Sequence, residues 1–579
     1  MFFEGRKSNY EKHPYKKVEG KAYEGYEDLV KQVQEEIKKI KQEKIILCFD
    51  FYHGTRNDEV LEYLIRPLHP QHILFSEEAK KSEDEIFHLF KENIGEDRVF
   101  GKLSQANLED CFDQDKLEEL KKSIGNGLTI IYGVGASLIH AGDLHLYFDL
   151  TRWEIQKRYR SQELDNWGVG NFKEDILRKY KRAYFVEWRI FDRYKFKVLK
   201  NCDYYVETNE KKKPKMISIT DYQKGLKLFS SSPFRLVPYF DEGIWGGQWM
   251  EEVCDLPHSS HNYAWCFDGV PEENSLCFQY DQIQVNIPAI NLVYAYPIQL
   301  LGQEVYKQFG CEFPIRFDFL DTMNGQNLSL QVHPLKEYIQ EHFSMPYTQD
   351  ESYYILDAKE GAHVYLGLKE NVELEDLIQA LSESQKTGKR FEDEKYVNSI
   401  PVQKHDHALI PAGTIHCSGA GTMVLEISAT PYIFTFKLYD WQRVGLDGKP
   451  RPIHVNRGKE NIQMNRKTKW VLENLIHRNE VIKENEEVKI ERTGLHELEF
   501  IETIRYTFND EIHISMKDSV HMLNLVEGEE IEVFSFHKEF EPIRIHYVET
   551  FIVPAFVKEY GLRSVYHKEV KVICAFVRK

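Results

Sequence analysis

The stretch SLQVHP, Ser329 to Pro334, follows the turn-rich MNGQN and is the place where the chain declares its architecture. In an extended strand successive side chains point to opposite faces, so Gln331 and His333 share one face and Val332 takes the other. Pro334 cannot donate to a ladder and ends the run. One strand face therefore carries an amide and an imidazole side by side, as a metal site would require.

Two more segments supply groups of the same kind. QDESYYIL places Glu351 at the start of a tyrosine-rich strand, and IPAGTIHCSG places His416 in a strand after a Pro-Ala-Gly turn. Gln331, His333, Glu351 and His416 together make two imidazoles, one carboxylate and one amide oxygen. Nitrogen and oxygen donors without thiolate suit Zn²⁺ or a similar divalent ion. With a position left open, such an ion is a Lewis acid that polarises a carbonyl. A single histidine in a strand is more often a satisfied polar residue than a ligand. His363 and His405 have equal chemical title, and spacing does not choose among them.

The chain has 579 residues, enough for two or three domains. An apolar fraction of 42% with 29% charged residues is ordinary for a globular protein, and 33 Tyr and 35 Phe suit sheet-rich cores. A net charge of -18 argues against generic nucleic-acid binding while leaving room for a local basic pocket that takes a small phosphate. The nine cysteines contain no CxxC pair, which fits a reducing compartment and speaks against a thiolate zinc cluster. MFFEGRKSNYEKHPYKK lacks the apolar core of a signal peptide, and no apolar run reaches membrane-spanning length. A cytoplasmic protein with no nucleic-acid or membrane partner is expected.

Residues 1–228 read as α/β. KIILCFDFYHG, LTIIYGVGASL and DLHLYFDL are short apolar runs of the kind found in buried parallel strands, and charged helical patterns lie between and after them. KKKPKM and then LFSSSPF mark a boundary. Beyond it, short strands and Gly/Pro turns dominate, with a helical interlude near Glu373–Leu381. That texture predicts two jelly-roll barrels.

The ordered set YFDEGIWGGQWM, SLQVHP, ESYYIL, IPAGTIH, VLEI, KLYDWQR and FIVPA resembles the signature of type I mannose-6-phosphate isomerases over roughly Phe234 to Lys579. The resemblance implies a multidomain chain: a first cupin at 229–460 with the metal site and the helical insertion, and a second at 461–579. It implies one Zn²⁺ in the first cupin, held by Gln331, His333, Glu351 and His416, and a hexose phosphate substrate. The implied reaction interconverts mannose 6-phosphate and fructose 6-phosphate through a cis-enediol, a proton shuttle that needs a general base and cations at the developing oxyanion. Lys437 stands where the family usually has an arginine, keeping the charge but losing the planar fork. Gln349 stands where a lysine is frequent, and ISATPYI replaces an amide-rich stretch. Glu426 is a candidate for catalysis or for strand support. Lys437 is a candidate for catalysis and substrate binding. Trp245 either lines the sugar pocket or packs the Gly-Gly turn. The alternatives are a non-catalytic sugar-phosphate sensor that retains its metal, or a bifunctional sugar kinase–isomerase.

Before residue 228, LHLYFDLTRWEIQKRYR and FVEWRIFDRYK resemble the later part of P-loop nucleoside and uridine kinases, where an arginine-bearing lid follows a strand. Arg152, Arg158 and Arg160 would then meet phosphate, against the plainer reading of a solvated basic face. No G-x-x-x-x-G-K-[ST] follows the strand at Lys44–Asp50, and GVGASL is only a partial glycine fingerprint. The expectation is a degenerate kinase-like module, binding or regulatory, with a nucleotide as a candidate ligand.

Overall fold

The computed structural model describes residues 7–429, 432, 434–446, 448–494 and 496–578. The chain divides into two compact units, one of residues 15–228 with 275–295, the other of 7–14, 229–274 and 296 onward. The expected boundary at 228/229 is therefore crossed twice. Segment 275–295 belongs with the α/β residues because it completes their packing. Its hairpin, Ser275–Tyr280 with Ile283–Pro288, pairs in parallel with Lys16–Lys17. Phe278 is buried against the helix Ile219–Ser230, so close to Gly225 that a Cβ there would lie 2.3 Å from its ring.

Among the described residues the α/β unit has a seven-stranded sheet in the order Ala22–Glu24, Lys215–Ser218, Tyr204–Glu207, Leu144–Asp149, Lys44–Phe51, Gly127–Gly133, His72–Phe75. The five strands from Tyr204–Glu207 to His72–Phe75 run parallel, as their unbroken apolar runs predict. Chain direction across the sheet reverses between Lys44–Phe51 and Leu144–Asp149, where open α/β sheets place their ligands.

The other unit is antiparallel. A six-stranded sheet ordered His407–Ile410, Glu351–Ala358, Thr422–Ser428, Arg316–Asp321, Trp265–Gly269, Tyr239–Asp241 is partnered by a five-stranded one ordered Val397–Pro401, His363–Leu368, His416–Ser418, Leu330–Val332, Phe436–Tyr439. The helix Leu374–Thr387 is the expected insertion. A second pair of sheets, of six and four strands, follows from Glu480 onward. It closes over a core that includes Leu523, Leu525, Ile531, Phe551, Tyr560 and Val572. The two sheet pairs are tied by buried polar bonds: Arg505 donates to Tyr354 Oη and the His405 carbonyl, and His407 bonds Thr493. Among the described residues no helix is long and apolar enough to cross a membrane.

Candidate metal centre

Three strands and a strand end deliver the predicted donors. Gln331 stands directly opposite His416 in the antiparallel register, and on its other side opposite Lys437. His333 follows the strand Leu330–Val332 by one residue, and Glu351 opens its strand on the partner sheet. Across the space between the sheets, Glu351 Oε2 lies 2.9 Å from His333 Nε2, and Oε1 lies 2.8 Å from His416 Nε2. Gln331 Nε2 is 3.2 Å from His416 Nε2. All four side chains are buried.

The ring orientations are set from behind. His333 Nδ1–H donates to the Phe434 carbonyl at 2.8 Å, and His416 Nδ1–H donates to the Thr414 carbonyl at 2.9 Å. A carbonyl only accepts, so in each neutral ring Nε2 is left with a bare lone pair. Both lone pairs face carboxylate oxygens, acceptor against acceptor, and His333 Nε2 and Glu351 Oε1 make no hydrogen bond. A proton or a cation must lie between them. Donors around a tetrahedral zinc are separated by about 3.3 Å, close to the observed spacings. Backbone-anchored imidazoles are also the usual outer support of a metal histidine. The residues fit a divalent ion of the zinc class; half a turn of the Gln331 amide would present its Oε1. When bound, such an ion supplies Lewis acidity toward a substrate oxygen.

The surroundings favour positive charge. Arg316, Glu351 and Ser428 lie in one cross-strand row, and Asp318, Tyr353 and Glu426 in the next. Alternation puts these residues on the face that carries Glu351. Arg316 grips Asp318 with two bonds of 3.1 Å. Burial, then Asp318 and Glu351, raise the Glu426 carboxyl well above the usual range, only partly offset by Arg316. Glu351, Asp318 and Glu426 crowd around one guanidinium, an acidic setting that suits a divalent cation. Arg316, Asp318 and Tyr353 escaped the sequence reading: RFDFLD shows a strand, and nothing in it says which partner strand brings Asp318 beside Glu426.

The other candidates distribute as follows. Lys437 is half-buried on the strand beside Gln331. Gln349 donates to Glu351 Oε2 at 3.1 Å and accepts from Phe434 N at 2.8 Å, steadying the carboxylate without adding charge. Trp245 is buried edge-on against Trp265, with ring centroids 4.9 Å apart, and its carbonyl accepts from Gln326 N. His405 is taken up by Tyr354 and Glu527, and His363 lies against Tyr365, so neither joins the cluster. Within ISATPYI, Thr430, Pro431 and Ile433 lie outside the described residues.

In the α/β unit the three arginines do not form a phosphate-facing lid. Arg152 is buried on Asp192, and Arg158 on Glu154 and the carbonyls of Gly54, Thr208 and Asn209. Exposed Arg160 stacks over Trp153. Their spacing suggested a basic face; the tertiary fold turns Arg152 and Arg158 inward.

A family described as "Domain of unknown function (DUF8485)" matches residues 25–231, a description that lends no support to a kinase reading. Mannose-6-phosphate isomerase ManA of Bacillus subtilis (strain 168) is 26% identical over 236 residues, 41% of this chain and 69% of that protein. Mannose-6-phosphate isomerase of Streptococcus mutans is 26% identical over 231 residues, 39% of this chain and 66% of that protein. The chain thus spans about two thirds of the length of these relatives. The crystal structure of mannose 6-phosphate isomerase from Bacillus subtilis aligns with 60% of this chain and 99% of its own at a TM-score of 0.47 and 19% identity.

Proposed function

We propose that this chain is a metal-dependent aldose–ketose isomerase that interconverts mannose 6-phosphate and fructose 6-phosphate through a cis-enediol. The observation that carries the reading is the convergence of His333 Nε2, His416 Nε2 and the Glu351 carboxylate in the first barrel, with His333 Nε2 and Glu351 Oε1 left without a hydrogen bond. Relatives named mannose-6-phosphate isomerase supply the substrate class.

In this reading Gln331, His333, Glu351 and His416 hold one Zn²⁺. Lys437, one strand along from Gln331, offers a cation to the oxyanion or the phosphate. Glu426, in the acidic row beside Tyr353, is the group that passes the proton, its carboxyl raised well above the usual range by burial and by Asp318 and Glu351. Buried Trp245 packs the turn that leads to this barrel and shapes its aromatic wall together with Trp265. The α/β unit serves as a degenerate kinase-like module, binding or regulatory rather than phosphorylating.

The test is a coupled assay for fructose 6-phosphate formed from mannose 6-phosphate, run before and after chelation and after zinc is restored. Turnover that chelation abolishes and zinc restores is the expected result. Turnover indifferent to chelation, or no turnover in protein with zinc shown to be bound at His333 and His416, sinks the proposal.

A further inference from the structure

We propose that the α/β unit carries a metal site of its own, in which Cys48, Asp50 and His145 hold a thiophilic divalent ion of the zinc class. Cys48 and His145 are direct partners on the adjacent parallel strands Lys44–Phe51 and Leu144–Asp149, and Asp50 lies two residues on along the same face. Their donor atoms all fall within 4.8 Å of one another, and all three side chains are buried. The site lies inside the sheet, at the start of Leu144–Asp149 and the middle of Lys44–Phe51, on the two strands between which chain direction reverses.

His145 is the observation that demands a partner. Its side chain is 4% exposed, yet neither ring nitrogen makes a hydrogen bond. Asp50 Oδ2 is 3.8 Å from Nε2, too far for one. A buried donor or acceptor left unmatched is costly. The His145 backbone is clamped on both sides by Asp203, whose carboxylate accepts from His145 N at 2.7 Å and whose N–H donates to the His145 carbonyl at 2.8 Å, which fixes where the ring starts. Asp50 is equally fixed: its oxygens accept from Gly135 N, Ser137 N and the Tyr194 hydroxyl, and Oδ1 takes only the first of these. One thiol, one imidazole and one carboxylate form a donor set that excludes Mg²⁺ and Ca²⁺ and suits zinc. Donors around a tetrahedral zinc with one sulfur are about 3.3–3.6 Å apart, so the cluster needs to close by an ångström or so. Binding releases the Cys48 proton to solvent, and an ion enclosed this fully enters as the unit folds.

This inference is independent of the isomerase reading and is tested on the full-length chain, purified under reducing conditions. Metal analysis should return two equivalents of zinc, one lost in Cys48→Ala and the other in His333→Ala. Replacing zinc with cobalt should give a thiolate-to-cobalt charge-transfer band, which the sulfur-free His333–Glu351–His416 group cannot produce. The band should vanish in C48A and persist in H333A. A single equivalent with no such band, as when a water molecule fills the space beside His145, overturns the proposal. So does a band that survives C48A. If C48A does not fold, the cobalt spectrum of the unsubstituted chain decides.

Discussion

Gln331 and His416 stand directly opposite one another on adjacent antiparallel strands, their Nε2 atoms 3.2 Å apart. That register determines which of the chain's polar side chains share an enclosed space. A slip of one residue would turn Gln331 to the far face and bring Val332 in its place.

Gln349 holds the Glu351 carboxylate through one donated bond while its own oxygen is held by Phe434 N. Supports of this kind set ligand orientation, and their loss typically costs 10–100-fold in metal affinity (roughly). Gln349→Ala should weaken zinc binding by about that factor, measured by competition with a chromophoric chelator. An affinity unchanged in the variant would show that Glu351 is held by its histidines alone.

Lys437 is expected to act on the substrate rather than on the metal. Lys437→Ala should reduce kcat/KM by about 10²–10³, the usual cost of removing one oxyanion donor, with zinc content unaltered. Lys437→Arg should keep most of the activity, because the charge persists and the guanidinium adds a second prong. Parallel loss of metal in K437A would reassign the residue to the metal centre.

Arg235 is a buried cation between two carboxylates, 2.6 Å from Glu549 and 3.6 Å from Asp268, and it also donates to the carbonyl of Glu11. Burial raises Asp268, and Arg235 pulls it back. Arg235→Leu would leave Asp268 with no cation and Glu549 with only His546. Breaking a buried pair costs about 3–5 kcal/mol, so the urea midpoint of this unit should drop sharply. A drop no larger than for an exposed arginine would contradict the assignment.

Acid sensitivity follows from two buried histidines. Burial lowers His521 and His407 to about 3 each, His407 with a further push from Arg505. The unfolded value is about 6.5. A histidine depressed by folding stabilises fully above its unfolded value, and that contribution drains away as pH falls from about 6.5 toward the folded value. Each residue then costs about 1.4 kcal/mol per pH unit. His521→Gln should narrow the gap between the melting temperatures at pH 7 and pH 5. A gap as wide as in the unsubstituted chain would exonerate His521.

Much of the site was legible early. Period-two alternation in SLQVHP puts Gln331 and His333 on one face, and the structure places them so, because alternation is a property of the extended backbone alone. The α/β strands were visible for a similar reason: strands covered on both faces must be apolar throughout. Arg152 and Arg158 went the other way. A helix carrying Arg152, Arg158 and Arg160 reads as a basic surface, yet Asp192, Glu154 and three backbone carbonyls draw two of them inward. Segment 275–295 was equally opaque, since a hairpin rich in apolar residues does not announce which sheet it will cover.

By itself, the amino-acid order determined which residues are extended, where strands stop, and which side chains share a strand face, because sterics and alternation act over a few residues. Only the tertiary structure decided that Glu351 meets His333 and His416 while His363 and His405 do not, and that Cys48 lies beside His145. Those encounters depend on pairing and register between distant segments. Burial energy summed over whole sheets settles that register, and no local pattern encodes it.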